Sequence, residues 1–484
     1  MKHIKTICFL LFCFSSSAVN AKTEVGEVQY VRGVLTSQSD GEMARIIGKK
    51  SDLFNGDVLN TGTRGFAIIK LDDGTKMTLR PNTKFHIKDV NVKKGEETGF
   101  FSLIRGGFRA ITGAISKRSA SAFRVQTPVA TIGIRGTEFD ARLCDTDCND
   151  ENNKIKEASE EESPVIGRIA LLRGKASSED DKGKARPLSV GAAIYERDQI
   201  QTRMNSYAVI AFNDKSRVTM SPNSAFKIEE HQFKPEAPAE NNAFVSFLRG
   251  GMRLVTGLIG KLNRPAYKVG TPTATIGIRG TGFDLVCEGR CVSEQSSYYN
   301  PVKETAVAKV LNFLIRPSLA ADTNGMYAKV WSGMIELQLS SGTIFLKDGK
   351  AAFLKNGYTT PVILPDIPVR FRNMGGAPRP DKVDVKDDLF GGVKQEDVKP
   401  GLYVNVRQGD VQVQGDDGKV IDLGKGEAGL AGLDGLTARL KFIPKFQEFD
   451  PLPKPSHFNA KQENIINFLG LEKEEKSEFE CTIQ

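Results

Sequence analysis

The chain has 484 residues, 39% hydrophobic and 26% charged, a globular balance with room for roughly two to four cored domains. Four histidines exclude a histidine-rich metal centre, and an excess of eight basic over acidic residues is too mild to point to nucleic acid. One tryptophan and 8% aromatics argue against an aromatic-lined glycan cleft.

Residues 1–21, MKHIKTICFLLFCFSSSAVNA, read as a secretory signal. Lys2 and Lys5 precede an apolar core from Ile7 to Phe14, and Val19 and Ala21 supply the small residues before cleavage. The apolar run is short for a membrane span; an uncleaved anchor is the alternative. Lipid attachment at Cys13 is disfavoured by the bulk of Phe12. No later segment reaches ~18 consecutive apolar residues, so no span is expected after cleavage. Removing the leader takes away two lysines and no acid, leaving +6. The expected product is periplasmic or secreted.

A long repeat follows. Residues 103–140, LIRGGFRAITGAISKRSASAFRVQTPVATIGIRGTEFD, match residues 247–284, FLRGGMRLVTGLIGKLNRPAYKVGTPTATIGIRGTGFD, at 22 of 38 positions without a gap. Upstream, Val25–Gly33 corresponds to Ile166–Gly174, and Gly65–Ile87 to Ser206–Ile228. The units are 22–148 and 163–291, a period suited to a duplicated domain and too long for a solenoid rung. Within each, period-two alternation such as Phe66 to Leu71, a turn at Asp72-Asp73-Gly74 and the breaker Pro81-Asn82 give short strands with frequent punctuation. The fold class is all-β: two duplicated β-sandwich or β-roll domains with short helical linkers.

The first linker, 149–162, lies in an acidic run from Cys144 to Glu162 that reads as mobile and solvated. Its acids lack the ligand spacing and turn glycine of a calcium loop. Residues 292–325 form a second linker, in which Lys303 to Leu319 has helix spacing. A shorter repeat then appears, Met326–Leu354 against Leu402–Leu430, each a β-hairpin with one extra strand. These tails, 326–370 and 400–455, flank a connector at 371–399 rich in Pro, Asp and Lys. One arrangement nests the second unit and its tail inside the first unit, whose completion is then the second tail. The alternative is a separate C-terminal domain made of both tails. Phe446 to Pro455, with three prolines, is expected to lie extended over the surface. In the C-terminal segment 456–484, Gln462 to Lys473 reads as a short helix.

Beyond the leader, Cys144, Cys148, Cys287 and Cys291 form two C-x-x-x-C pairs at matching places in the units. In an oxidising compartment each pair closes a small disulfide loop, contributing roughly 2 kcal/mol. The competing reading is one zinc site with four thiolate ligands. Cys481 is left over as a free thiol or an intermolecular link.

The segments TPVATIGIRGTEFD, Thr127 to Asp140, and TPTATIGIRGTGFD, Thr271 to Asp284, resemble the signature of the FecR-domain family. The resemblance covers both long units, and the tails resemble the family's usual ending without its Gln. In the family's namesake, a periplasmic domain relays occupancy of an outer-membrane ferric-siderophore receptor to a cytoplasmic sigma factor. This chain shows no internal span and no sigma-regulating segment, so direct transmembrane signalling is not carried over. The resemblance implies a periplasmic or secreted β-rich interaction module, of a kind that also occurs beside cell-wall-binding modules.

Within the motif, Thr127-Pro128 and Thr271-Pro272 open a strand. Arg135-Gly136-Thr137 and Arg279-Gly280-Thr281 read as turns, with Gly136 supplying positive φ. Arg135 is expected to pair with Asp140, and Arg279 with Asp284, fixing the turn. The other reading makes these arginines and threonines a partner-binding edge. Lys117, Arg118 and Arg124 match Lys261, Arg264 and Lys268 as basic patches facing either solvent or an anionic envelope polymer.

No H-E-x-x-H, G-x-S-x-G or Walker A loop occurs. Asp72-Asp73 sit in a turn, where exposure explains them. The sequence therefore reads as a non-enzymatic envelope protein with no cofactor, binding a protein partner in sensing, signalling or assembly. A binder of peptidoglycan or exported polysaccharide is the second reading, and a hydrolase without a recognisable motif the third.

Overall fold

The computed structural model describes residues 22–119, 121–156, 163–288, 324–356, 360–386, 389–393 and 397–455. The leader, the acids at 157–162, Cys291, the helix expected at 303–319, that at 462–473 and Cys481 lie outside the described residues.

The protein is all-β, built as two curled sheets of sixteen strands that repeat one another. In the first, the path runs from Arg45–Ile46 through Leu35–Gln38, Val58–Thr61, Lys84–Asn91 and Thr98–Arg105 to Phe123–Gln126. It continues through Ala130–Cys144, Gly107–Ile111, Lys76–Leu79, Phe66–Leu71 and Glu24–Arg32 to Asp52–Phe54. Neighbours are antiparallel except Phe123–Gln126 on Thr98–Arg105, a pairing repeated by Tyr267–Gly270 on Asn242–Arg249. Alternation explains the layering: in Phe123–Gln126 and Thr98–Arg105 every second residue is buried, so each strand gives one face to the core.

The long motif strands, Ala130–Cys144 and Thr275–Glu288, each carry a tail strand on their second side. Thr275–Glu288 pairs with Gly325–Leu339 of the first tail, which follows it in sequence. Ala130–Cys144 pairs with Gly401–Gly415 of the second tail, from Ala130 opposite Gly415 to Cys144 opposite Gly401. Between these last two partners in sequence lie the second unit and its own tail. The cores follow the same division. Leu402, Val404, Val406, Val411 and Val413 pack with Phe108, Ile132, Ile134 and Phe139, whereas Met326, Ala328, Val330 and Ile335 pack with Met252, Ile276 and Phe283.

Two expectations about connecting segments are corrected. Part of the acidic run is a helix, Asp147–Lys154, because Arg142 holds Asp147 at 3.1 Å and Glu151 at 2.6 Å. The segment from Phe446 is not simply an extended surface strand. Lys445–Glu448 forms a helical turn, and Phe446 is 0% exposed, edge-on to Tyr403 at 5.3 Å with the Arg142 guanidinium 5.2 Å above its ring. The prolines set the boundaries of that turn; the burial of Phe446 holds it down. Among the described residues no helix is long and apolar enough to cross a membrane.

Candidate functional site

The motif residues organise the long strands. Thr127 Oγ1 donates to the Ala130 carbonyl at 2.8 Å and accepts from its N–H at 3.0 Å; Thr271 does the same with Ala274 at 2.7 and 3.0 Å. Pro128 and Pro272 are exposed at these turns. Arg135-Gly136-Thr137 is not a turn between strands but an irregularity inside one, where the register with the tail shifts between Arg135 and Glu138. Gly136 has φ +54° and Gly280 φ +63°. Thr137 Oγ1 donates to the Asp410 carbonyl at 3.0 Å, and Thr281 Oγ1 to that of Met334 at 2.7 Å, tying each bulge to its tail. The motif strand has hydrogen-bonded neighbours on both sides, the Gly107–Ile111 and Phe123–Gln126 strands on one and the tail on the other.

Arg135 does not pair with Asp140. In one extended strand, five residues separate them by about 16 Å. Asp140 instead accepts from Arg109 Nε at 2.6 Å and Arg407 Nε at 2.8 Å, from the strands on its two sides. The matching Asp284 accepts from Trp331 Nε1 at 2.9 Å and lies 3.5 Å from Arg253 Nε; the side chain of Arg279 lies outside those described. Burial pushes the Asp284 carboxyl up, against the pull of Arg253, Trp331, Lys329 and Arg379. The signal for Arg109 and Arg253 was in the repeat, since they match in RGGFR and RGGMR; Arg407 and Trp331 stand at matched tail positions that differ in type.

A strap crosses the Arg109 face. Asp450 pairs with Arg80 and with Arg109 at 3.2 Å, and Arg109 Nη1 and Thr78 Oγ1 donate to the Leu452 and Pro453 carbonyls at 2.7 and 3.0 Å. The connector does the same for the second unit. There Arg253 donates to the Ala377 and Arg372 carbonyls, both at 2.9 Å, and Arg379 stacks on Trp331 at 3.7 Å. Beneath the first strap, Cys144 and Cys148 are disulfide-bonded and buried beside Tyr403 and Phe446; Cys287 is also disulfide-bonded.

Next to the strap opens a cleft of 540 Å³, lined by Pro164, Asn405, Arg407, Lys425, Ile443 and Glu448 among others. Asn405 is 1% exposed, and among the described residues neither its Oδ1 nor Glu448 Oε2 has a hydrogen-bond partner. Arg407 is already engaged by Asp140 and by the Gln447 carbonyl at 2.8 Å, whereas Lys425 is exposed.

The cleft borders a polar junction between the units. Arg168, buried in the second unit, pairs with Glu427 of the second tail and donates to the Gly191 carbonyl at 3.0 Å. Glu427 also accepts from Gly424 N–H at 2.7 Å, and Lys425 N–H donates to the Tyr195 hydroxyl at 2.6 Å. Burial first, and Asp410 second, push the Tyr195 hydroxyl up. A Cβ on Gly191 would fall 2.0 Å from Asp422 Oδ2, so a larger residue there would push that carboxylate aside.

The basic residues stay apart from all of this. Lys117, Arg118, Arg124, Lys261 and Lys268 are exposed, Arg118 lies 4.0 Å from Glu97, and the Arg264 side chain lies outside those described.

The family model described as FecR protein matches residues 57–151 and again residues 198–297. The two matches are consistent with tandem FecR-like domains. Each match takes in the motif strand that bears Asp140 or Asp284. The chain also shows a slight likeness to two crystal structures described as a candidate anti-sigma factor from Parabacteroides distasonis. Identity is 10%, with 34% of this chain and 58% of that chain covered, at TM-scores of 0.22 and 0.23. The chain thus spans less than two thirds of that protein, and a likeness of this size carries no argument. No curated protein matches the chain.

Proposed function

We propose that this is a non-catalytic binding protein of the cell envelope, exported behind residues 1–21, whose FecR domains hold a protein partner in sensing, signalling or assembly. The cleft beside the strap carries this reading. Its buried Asn405 Oδ1 and Glu448 Oε2 are acceptors without a partner among the described residues, and Lys425 adds a cation at the rim. The two enclosed oxygens keep the cleft wall polar, and the rim suits a polar segment of a partner whose acidic side chain meets Lys425. Among the described residues that line the cleft there is no Ser, Thr, Cys or His.

The second reading, binding of peptidoglycan or exported polysaccharide, is favoured by the exposed basic residues at matching places in both domains. One experiment separates them. The chain and its Lys425→Glu variant are used to capture partners from periplasmic extract, and wild type is sedimented with purified cell wall. A protein retained by wild type and lost by Lys425→Glu supports the first reading. Sedimentation with the wall, abolished when Lys117, Arg118, Lys261 and Arg264 are neutralised, overturns it in favour of the second.

A further inference from the structure

The junction joins a tail face of the first FecR domain to a receiving face of the second. Because the domains are duplicates, each face has a counterpart, and among the described residues both counterparts present exposed charged side chains. On the receiving side, Arg168 opposite Ala193 and Val165 opposite Tyr195 correspond to Glu27 opposite Asp52 and Glu24 opposite Phe54. On the tail side, the Gly426 and Gly349 N–H groups donate to the Val406 and Val330 carbonyls, which equates Glu427 with Lys350 and Gly424 with Lys347. Phe345 likewise stands in the place of Asp422.

Their exposure differs as their roles would require. In the junction, Arg168, Gly191, Gly424 and Glu427 are buried. At the counterparts, Lys347, Asp348 and Lys350 are exposed, Phe345 is 51% exposed, Asp52 is exposed and Glu27 half-buried. The charges are exchanged and remain complementary. Arg168 against Glu427 becomes Glu27 against Lys350, and the close pair Ala193 and Gly424 becomes Asp52 and Lys347. Around Glu27 a depression of 200 Å³ is lined by Glu24, Glu27, Asp52, Asp72 and Lys70, an acidic setting for an incoming ammonium. Arg45 lies over Phe54 at 5.5 Å as Arg186 lies over Tyr195 at 5.2 Å, so the two receiving faces share their frame.

We propose that the tail face of the second domain docks on the receiving face of the first domain in another copy of this chain, joining copies head to tail. Lys350 meets Glu27 and Lys347 meets Asp52. Lys50 stands where Gly191 admits Asp422, so this join is wider there and sets Phe345 against the lysine stem. The join is heterologous, which closes into rings or extends into filaments. The exchange of signs also bars the wrong combinations, since Lys350 against Arg168 or Glu427 against Glu27 would oppose like charges. None of this rests on what the cleft binds.

The test is sedimentation velocity on the purified chain over rising concentration at low and high salt. Wild type is expected to self-associate reversibly, less so at high salt. E27K or K350E alone weakens association by roughly tenfold or more. An equimolar mixture of the two variants associates again, because each variant supplies the charge that the other needs. Both changes lie at the surface, and an unchanged far-ultraviolet spectrum shows that the fold is kept. A wild type monomeric at every concentration would overturn the proposal, as would association untouched by either variant or a mixture that fails to recover.

Discussion

Asp140 and Asp284 occupy the same register position in the two domains, and their surroundings have diverged. Asp140 sits between two guanidinium groups, whereas Asp284 has an indole N–H on one side and Arg253 at 3.5 Å on the other. With burial the largest influence, the Asp284 carboxyl titrates above the ordinary carboxylate range. Just above that ordinary range the folded chain therefore binds more protons than the unfolded chain. Stability contributed by the neutral acid is lost as pH rises through the folded value. Asp284→Asn should flatten this part of the stability-against-pH curve, read by urea unfolding at a series of pH values; an unchanged slope would place the titration elsewhere. The sequence singled out this acid with Arg279 as its expected partner, although Arg253 stood in the matched repeat. It did not show which arginine faces the acid, because a strand reads as a turn when Gly and Thr interrupt its apolar alternation.

At the scale of the element, the bulge decides how the motif strand meets its tail. Gly409 has φ +85°, and a Cβ there would lie 2.5 Å from the Gly136 carbonyl oxygen; Gly333 repeats the geometry against Gly280 at 2.6 Å. Gly418, φ +75°, has nothing within 4 Å of such a Cβ. Gly418→Ala should cost about 1 kcal/mol, from left-handed backbone alone. Gly409→Ala adds a backbone clash and should cost at least ~2 kcal/mol more, both measured by chemical denaturation. Equal costs would show that the bulge relaxes. Both glycines were matched between the tails in the sequence, Gly409 with Gly333 and Gly418 with Gly342, but matching alone did not separate the crowded position from the open one. That distinction depends on which strand lies across the bulge.

Across the whole molecule, duplication was legible and the joining of the duplicates was not. Period-two alternation and a 38-residue match were enough for two β domains and two tails, because core faces repeat with the strand. Arg168 and Glu427 are 259 residues apart, and nothing in the repeat pairs them, since their counterparts carry the opposite signs. Their side chains are only 1% and 8% exposed, so each charge depends on the other for what water no longer supplies. Arg168→Met should therefore be the harsher change, leaving Glu427 buried with only Gly424 N–H and Ser163 Oγ, at a cost of about 3–5 kcal/mol. Arg168→Met combined with Glu427→Met removes both charges and should recover much of that loss. Urea unfolding gives the energies, and limited proteolysis at the 155–164 link shows whether the domains part. A double variant as unstable as the single one would mean that the ion pair itself, and not relief from an unpaired charge, holds the two domains together.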